Sequence, residues 1–362
     1  MYGLIIILAG LSTLFLIPTS GQKKNRLYHI ASILLWSLIF VTIAFRSEEI
    51  GADTINYINK YLTIKDLPSY SQYGGVAAGE PLFFLLNKLL SYVFGSWAQC
   101  IILVQAIAVV VAYSWAIKKY GVNENFAILG FLALGLYLTS LCLLRQFIAM
   151  SVCVFSIKYV IDKKLWKFLL CVAIATAIHF SAIFWVVAFF ACNSFTKKSN
   201  FKLFVYIVFA IVGYFTVDIF QDTTSAMFDR WAGYSNIETN AAGFISFAIF
   251  ALITFFVFEN RKEIISYYPY ANVMININYL NMILWIMRLI TRNTERISFY
   301  FTIAPILLVP VLCQVVKKKY GNVIGSVVQF LIVVSMVILF WTKATKDPKL
   351  YPYMFMDFAL IF

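Results

Sequence analysis

Long apolar segments separated by short polar ones dominate the pattern of this chain. A helix needs roughly 17 to 25 residues to cross about 30 Å of hydrocarbon at 1.5 Å per residue. Such runs, including three short ones between Arg145 and Ser194, lie near 2–18, 27–45, 97–117, 124–144, 146–161, 165–179, 180–196, 201–220, 243–259, 271–290, 297–316 and 321–342. The pattern predicts an all-α polytopic membrane protein with about twelve crossings, in a range of about ten to thirteen, and residues 1–362 forming one transmembrane domain.

Three polar stretches between or after these runs are long: 46–96, 221–242 and the tail 343–362. Within the first, the segment EPLFFLLNKLLSYVF (80–94) is apolar on nearly every turn but too short to cross, and Asn87 falls in its middle. It is therefore predicted to be a short helix lying in the membrane interface.

Composition supports lipid as the main solvent of the chain. Of the 362 residues, 62% are hydrophobic and only 12% are charged, whereas a soluble domain carries about 25% charged residues. The formal charge is nevertheless +13, a balance that could indicate nucleic acid, acidic lipid or membrane topology.

The positions of the basic residues favour topology. Most of them cluster in every second connection, for example at Lys23 and Lys24, at Lys118 and Lys119, and at 317–319. By the positive-inside rule these connections are cytoplasmic, which leaves both termini and the three long stretches on the outer side. The whole positive excess falls on the inner side, so we expect no nucleic-acid partner.

Motifs for nucleotide or metal chemistry are absent from the sequence. It contains no GxxxxGK[ST], HExxH, GxSxG or DxD pattern, and its only histidines are His29 and His179. The six cysteines lie in apolar runs without CxxC spacing, as expected of small packing residues. We expect no cofactor and no metal.

Charges in or beside lipid are the strongest indications of function, because an ionised side chain at mid-bilayer costs about 2.5 to 3.5 kcal/mol. Arg145, with Gln146 beside it, stands at a predicted outward turn between two apolar runs; it is either a ligand for an anion or a side chain that reaches the headgroups. His179 is either a hydrogen-bonded core residue or a base or donor to phosphate.

Three further arginines, Arg288, Arg292 and Arg296, follow one another at every fourth position. If a helix continues through this segment, they share one face, and an anionic ligand would offset their repulsion. The alternative is three independent arginines that are ion-paired or reach the headgroups.

The outward segment RSEEIGADTINY (46–57) carries Arg46, Glu48, Glu49 and Asp53. It is either a solvated connection or a loop that folds over a cavity and supplies carboxylates. All these features fall on the predicted outer side, which favours an outward-facing cavity rich in arginine.

Six segments together make the chain resemble the EpsG family of the wider Wzy class of bacterial exopolysaccharide and O-antigen repeat-unit polymerases. In chain order they are RSEEIGADTINY (46–57), GEPLFFLLNKL (79–89), LLRQFIAMS (143–151), AIHFSA (177–182), RISFYF (296–301) and YPYMF (351–355). Each is weak alone, but their order and spacing span nearly the whole chain.

The resemblance implies glycosyl transfer from a glycan on undecaprenyl pyrophosphate to the next lipid-linked repeat unit, at the periplasmic face of the bacterial cytoplasmic membrane. Donor, acceptor, membrane lipid and a chain-length regulator protein are the implied partners. Direct attack by a sugar hydroxyl would invert the anomeric configuration. An O-antigen ligase that transfers to lipid A core, and a repeat-unit flippase or transporter, are the alternatives.

The candidate site residues follow from this reading. The catalytic acid or base is expected among Asp53, Glu48, Glu49, Glu80 and His179, between which the sequence does not choose. The pyrophosphate ligands are expected among Arg145, Arg292, Arg296, Arg288 and Arg46. The sugar-binding residues are expected among Tyr57, Gln146, Trp231 and Tyr234.

Overall fold

The computed structural model describes residues 1–16, 26–67, 80–193, 241–289 and 293–357, together with Val208. Within these ranges the protein is all-helical and contains no strand. The all-α prediction is therefore confirmed for this part of the chain. Apart from Val208, the predicted run 201–220 lies outside the described residues, and so does nearly all of the predicted loop 221–242.

The helices follow one another without intervening sheet. They are α1 Tyr2–Phe15, α2 Arg26–Ala44, α3 Thr54–Asp66, α4 Pro81–Phe94, α5 Gln99–Tyr120, α6 Glu124–Ala133, α7 Leu136–Ser140, α8 Leu144–Ile161, α9 Leu165–Ile178, α10 Val186–Cys192, α11 Ala241–Glu259, α12 Arg261–Tyr267, α13 Ala271–Met287, α14 Asn293–Ser298, α15 Ile303–Tyr320 and α16 Asn322–Lys346. A 3-10 helix, Phe180–Trp185, connects α9 to α10.

Four of the described helices, α2, α5, α8 and α16, are long and apolar enough to cross a membrane. A fifth crossing results if α11 and α12, which meet at an angle of 75°, count as one broken span. Other apolar helices are shorter, among them α1, α9 and α13. These features identify a membrane protein, while the count of about twelve crossings stays a prediction.

Close helix packing forms one extended core around α8, which lies against both α5 and α9, while α5 also packs against α2. Small residues allow this approach where lipid provides no hydrophobic driving force between helices. In α6, a Cβ added at Gly130 would lie 3.6 Å from the Cα atom of Ile306 in α15. The core consequently extends through α6 to α15.

Two segments of the chain contain helix breaks. The predicted run 124–144 divides into α6 and α7 at Gly135, which has φ of 100°. Arg288, Arg292 and Arg296 would share one face only if a helix continued through them, but α13 ends at Met287 and the next described helix begins at Asn293. That condition is therefore not met.

The C-terminal tail packs along the segment that follows α2. Ser47 N donates to Met354 O at 3.0 Å, Gly51 N to Lys349 O at 2.8 Å, and Met356 N to Phe45 O at 2.9 Å. These bonds satisfy backbone groups that would otherwise lie unpaired. They place the C-terminal tail beside the segment that joins α2 to α3.

Candidate active site

Three helix ends bring together residues that are far apart in the sequence. Glu80 immediately precedes α4, Arg145 lies in the first turn of α8, and His179 is the residue at which α9 ends. Pro81 suits the first position of α4 because its missing N–H would have no partner there. His179 has extended backbone angles, φ −151° and ψ 118°, so its side chain leaves the helix axis.

The Glu80 carboxylate lies at the centre of this group and is 2% exposed. One of its oxygens, Oε2, accepts from Arg145 Nη1, and the other, Oε1, contacts His179 Nδ1 at 2.6 Å. A buried carboxylate without partners would be strongly disfavoured. The two partners therefore explain how Glu80 can be charged inside the protein.

The pKa of Glu80 depends on two opposing effects, burial of the carboxyl group and its contacts with His179 and Arg145. Burial raises the pKa of the carboxyl group, but the hydrogen bonds and charges of His179 and Arg145 together outweigh burial and hold the pKa below its ordinary range. The group is consequently a carboxylate at neutral pH. It accepts hydrogen bonds and cannot act as a proton donor there.

Aromatic rings enclose the guanidinium of Arg145. Its Cζ atom lies 5.6 Å from the ring centroid of Tyr57 and 5.7 Å from that of Phe83. Such contacts stabilise a desolvated cation, and they restrict the directions in which Arg145 can reach. Tyr57, a predicted sugar ligand, is itself 6% exposed and serves here as a wall of the arginine site.

His179 is the most accessible member of the group, with 22% of its side chain exposed against 3% for Glu80. Its Nδ1 faces Glu80, while Nε2 makes no hydrogen bond to the described residues. A carboxylate on Nδ1 favours the tautomer with a proton there, which leaves Nε2 able to accept one. Two residues further along, Ser181 Oγ and Tyr300 Oη are 3.1 Å apart.

A cavity of about 350 Å³ is lined in part by Cys142 and Leu143, the two residues that lead into α8. Its charged lining residues are Arg288, Glu295, Arg296, Lys343 and Asp347. Arg288 Nε donates to Glu295 Oε2 at 2.8 Å. The lining thus carries three cationic and two acidic side chains, an arrangement suited to an anionic group.

Backbone shape gives the cations room in this cavity. A Cβ atom at Gly243 would lie 2.7 Å from Arg288 Nη2, and one at Gly135 would lie 3.8 Å from Lys343 Nζ. Gly135 also turns the chain between α6 and α7 with its positive φ. Gly243 therefore allows Arg288 to approach the backbone closely, whereas a side chain at Gly135 would make only ordinary contact with Lys343.

Gln146 connects the cavity with the Glu80 group. Its Nε2 donates to the backbone oxygen of Arg296 at 2.5 Å, while its neighbour Arg145 faces Glu80. Leu143, just before α8, lines the cavity. Gln146 is 2% exposed, so the structure gives this predicted sugar ligand a role in joining α8 to α14.

Arg46 does not join either feature. It is 0% exposed and donates to Ile43 O at 2.7 Å and to Gln105 Oε1 at 3.0 Å. Burial lowers the pKa of Arg46 to about 10, so it remains charged at neutral pH. Enclosed by neutral acceptors, it is separated from any ligand.

The remaining predicted residues divide into two groups. Glu48 and Glu49 are exposed in the turn before α3, and Asp53, the residue immediately before α3, is half-buried. None of the three contacts the Glu80 group within the described residues. Arg292, Trp231 and Tyr234 lie outside the described residues, and their roles stay predictions.

Sequence reasoning missed Glu295, Asp347 and Lys343 as lining residues of the cavity. Lys343 had a usable signal, since a lysine at the outward end of a long apolar helix runs against the positive-inside tendency. Glu295 and Asp347 carried no such signal, because acidic residues in predicted outward segments are ordinary.

This helical membrane protein holds a buried carboxylate between an arginine and a histidine, and a cavity in it is lined by further cations. Such a site suits the binding of an anionic substrate. More particularly, this chain belongs to the EpsG family, whose family model matches residues 29–355. The family points to a membrane protein of the polysaccharide polymerase type. No curated protein and no solved structure matches the chain.

Proposed function

We propose that the protein is a polysaccharide polymerase that joins undecaprenyl-pyrophosphate-linked oligosaccharide repeat units at the outer face of the bacterial cytoplasmic membrane. Both termini lie on that face in this proposal. The observation that carries it is the buried Glu80 carboxylate between Arg145 and His179. Family membership supports the reaction type.

His179 is the residue proposed to accept the proton. The acceptor sugar's hydroxyl oxygen attacks the anomeric carbon of the donor, and the hydroxyl proton moves to His179 Nε2. Glu80 holds Nδ1 and stabilises the imidazolium as it forms, in the way a carboxylate supports a catalytic histidine elsewhere. In this proposal His179 is the base and Glu80 is a positioning residue.

The leaving group sets the second requirement. As the bond from the anomeric carbon to the diphosphate oxygen breaks, its electron pair stays on the diphosphate, and negative charge develops there. Arg288 and Arg296, in the cavity, are placed to receive this charge, since guanidinium groups match phosphate oxygens. Preorganised donors of this kind contribute about 10²- to 10³-fold to rate. Attack from the opposite side inverts the anomeric configuration.

The test uses a strain from which the gene is deleted, complemented with plasmid-borne variants. Wild type restores long surface polysaccharide, whereas His179→Ala and Glu80→Gln are expected to lower polymer formation at least about 100-fold and to leave lipid-linked single repeat units. Glu49→Gln, an exposed carboxylate outside the group, is the matched control and is expected to behave as wild type.

Purified protein separates polymerisation from transport and ligation. In detergent, with lipid-linked repeat units and no membrane barrier, wild type is expected to form polymer. Polymer formation there rules out a flippase as the explanation. Failure of the purified wild-type protein, together with a deletion strain that exports no repeat units at all, would contradict the proposal.

A further inference from the structure

An apolar groove of about 620 Å³ continues from the cation-lined cavity. Leu134, at the end of α6, lines both. The groove is walled by side chains of α11 and α16, and α15, which packs against both helices, forms its floor. Its lining is mostly aliphatic and aromatic, including Ile253, Phe256, Leu312 and Leu331.

The groove follows α16 for most of the length of that helix. Its lining residues on α16 extend from Ile324 to Leu339, a distance of about 22 Å at 1.5 Å per residue. Lys343, a cavity residue, lies one helical turn beyond Leu339. The apolar groove and the cation-lined cavity therefore follow one another along α16.

Both walls carry residues that are exposed within the part of the chain that the structure describes. Leu252 on α11 and Leu331 on α16 are each 58% exposed, and both line the groove. This arrangement suits a hydrocarbon chain that enters the groove sideways from the bilayer while its polar end occupies the cation-lined cavity.

Lys343 lines the cavity but has no role in the proposed glycosyl transfer. Among the described residues it makes no ion pair, whereas Arg288 is paired with Glu295. Lysine is a strong but directionally undemanding partner for phosphate oxygens. It lies where the cavity meets the helix that forms the groove wall.

We propose that the cavity and the groove together form the binding site of the lipid diphosphate, with the diphosphate between Lys343, Arg288 and Arg296 and the polyprenyl chain along α11 and α16. The identity of the lipid rests on the proposed function; the amphiphilic shape of the site does not. Lys343 is thus a further diphosphate ligand, and Ser335 and Leu252 line the groove that holds the polyprenyl chain.

The test measures binding of radiolabelled undecaprenyl diphosphate, without sugar, to the purified full-length protein in detergent. Ser335→Trp and Leu252→Trp fill the groove from opposite walls at exposed positions, and each is expected to weaken binding at least about tenfold. Lys343→Gln is expected to weaken it about tenfold. Val327→Trp, on an exposed part of α16 outside the groove lining, is the matched control and should bind as wild type.

Competitors identify which part of the lipid is recognised. Unlabelled undecaprenyl diphosphate should displace the probe. Undecaprenol lacks the diphosphate, inorganic pyrophosphate lacks the hydrocarbon chain, and phosphatidylglycerol has one phosphodiester and acyl chains in their place, so each should compete at least about tenfold less well. Equal displacement by pyrophosphate would mean that the cavity binds a free anion and the groove is idle. Equal displacement by phosphatidylglycerol would mean general affinity for anionic lipid, and either result overturns the proposal.

The assay also separates this inference from the polymerase assignment. A protein that binds the probe as described but builds no polymer contradicts the proposed function and leaves the lipid site standing. Conversely, Ser335→Trp and Leu252→Trp variants that elute as wild type from size exclusion, bind the probe normally and make full-length polymer contradict the lipid site alone.

Discussion

Arg46 and Arg145 are both buried arginines, yet their surroundings differ. Arg46 donates to the neutral oxygens of Ile43 and Gln105 and is fully enclosed. Arg145 pairs with a carboxylate that also binds a histidine. The first arginine holds pieces of backbone together, whereas the second is part of a charged group that can respond to a proton or an anion.

The comparison extends to the residues around each arginine. Gly51 and Thr54, from the same segment as Arg46, pack against Leu141, and Thr54 Oγ1 donates to Ile50 O at 2.6 Å. Around Arg145 the neighbours are the aromatic rings of Tyr57 and Phe83. The segment 46–57 therefore packs against the chain just before α8, at Leu141, and its Tyr57 forms one wall of the Arg145 site.

The largest expected effect comes from Gly51→Ala. Gly51 has φ of 93°, and a Cβ atom there would lie 1.9 Å from the carbonyl oxygen of Leu141, so backbone must move. We expect destabilisation of more than about 3 kcal/mol, measured as loss of monodisperse protein and of thermal stability in detergent. Gly95→Ala is the matched control, because Gly95 also has positive φ but no neighbour within 4 Å. Equal stability of the two variants would contradict the scaffold role of Gly51.

Exchanging the two arginines for glutamine should separate folding from activity. Arg46→Gln leaves buried acceptors without donors, at about 1 to 3 kcal/mol for each, and is expected to reduce the yield of folded protein. Arg145→Gln is expected to fold, because Glu80 keeps His179 as a partner, but to lose long polymer. Arg145→Lys should also be impaired, since a point charge cannot replace the planar guanidinium. The measurements are thermal unfolding and glycan chain length; an active Arg145→Gln variant contradicts the role given to Arg145.

A smaller effect is expected from pH. The pKa of Glu80 is lower in the folded protein than its ordinary value of 4.5, so the carboxylate stabilises the fold at pH values above 4.5. This contribution is lost as pH falls through the lowered pKa. Thermal unfolding of wild type and Glu80→Gln should therefore differ near neutral pH and converge in acid. A difference that grows as pH falls would show that the sign is wrong.

The smallest effect is expected at the exposed turn. Glu48→Gln and Glu49→Gln remove charges that lie in solvent and make no contact with Glu80 or Arg145 in the described structure. Polymer length and thermal stability should match wild type within measurement error. A loss of polymer in either variant would return these carboxylates to the list of catalytic candidates.

Periodicity and charge were enough to predict the helical class and to single out Arg145 and His179, while Glu80 became a candidate through the resemblance to the family. They were not enough to join these three, because contacts between the ends of α4, α8 and α9 depend on how the helices pack. Nor could they decide whether a helix continues from Arg288 to Arg296, and α13 ends at Met287. The sequence also could not distinguish Arg46 from Arg145 as a phosphate ligand, because the neutral oxygens that enclose Arg46 are set by the packing of the helices.

The attachment of the C-terminal tail has a consequence for the order of biosynthesis. Backbone bonds from Met354 and Lys349 complete the segment that follows α2, and Tyr353 Oη donates to Thr42 O at 2.8 Å. The ribosome makes the chain from its N-terminus, so the backbone groups beside Arg46 lack these partners until residues 349–356 have been translated. The segment that follows α2 therefore completes its hydrogen bonds long after α2 itself has been made.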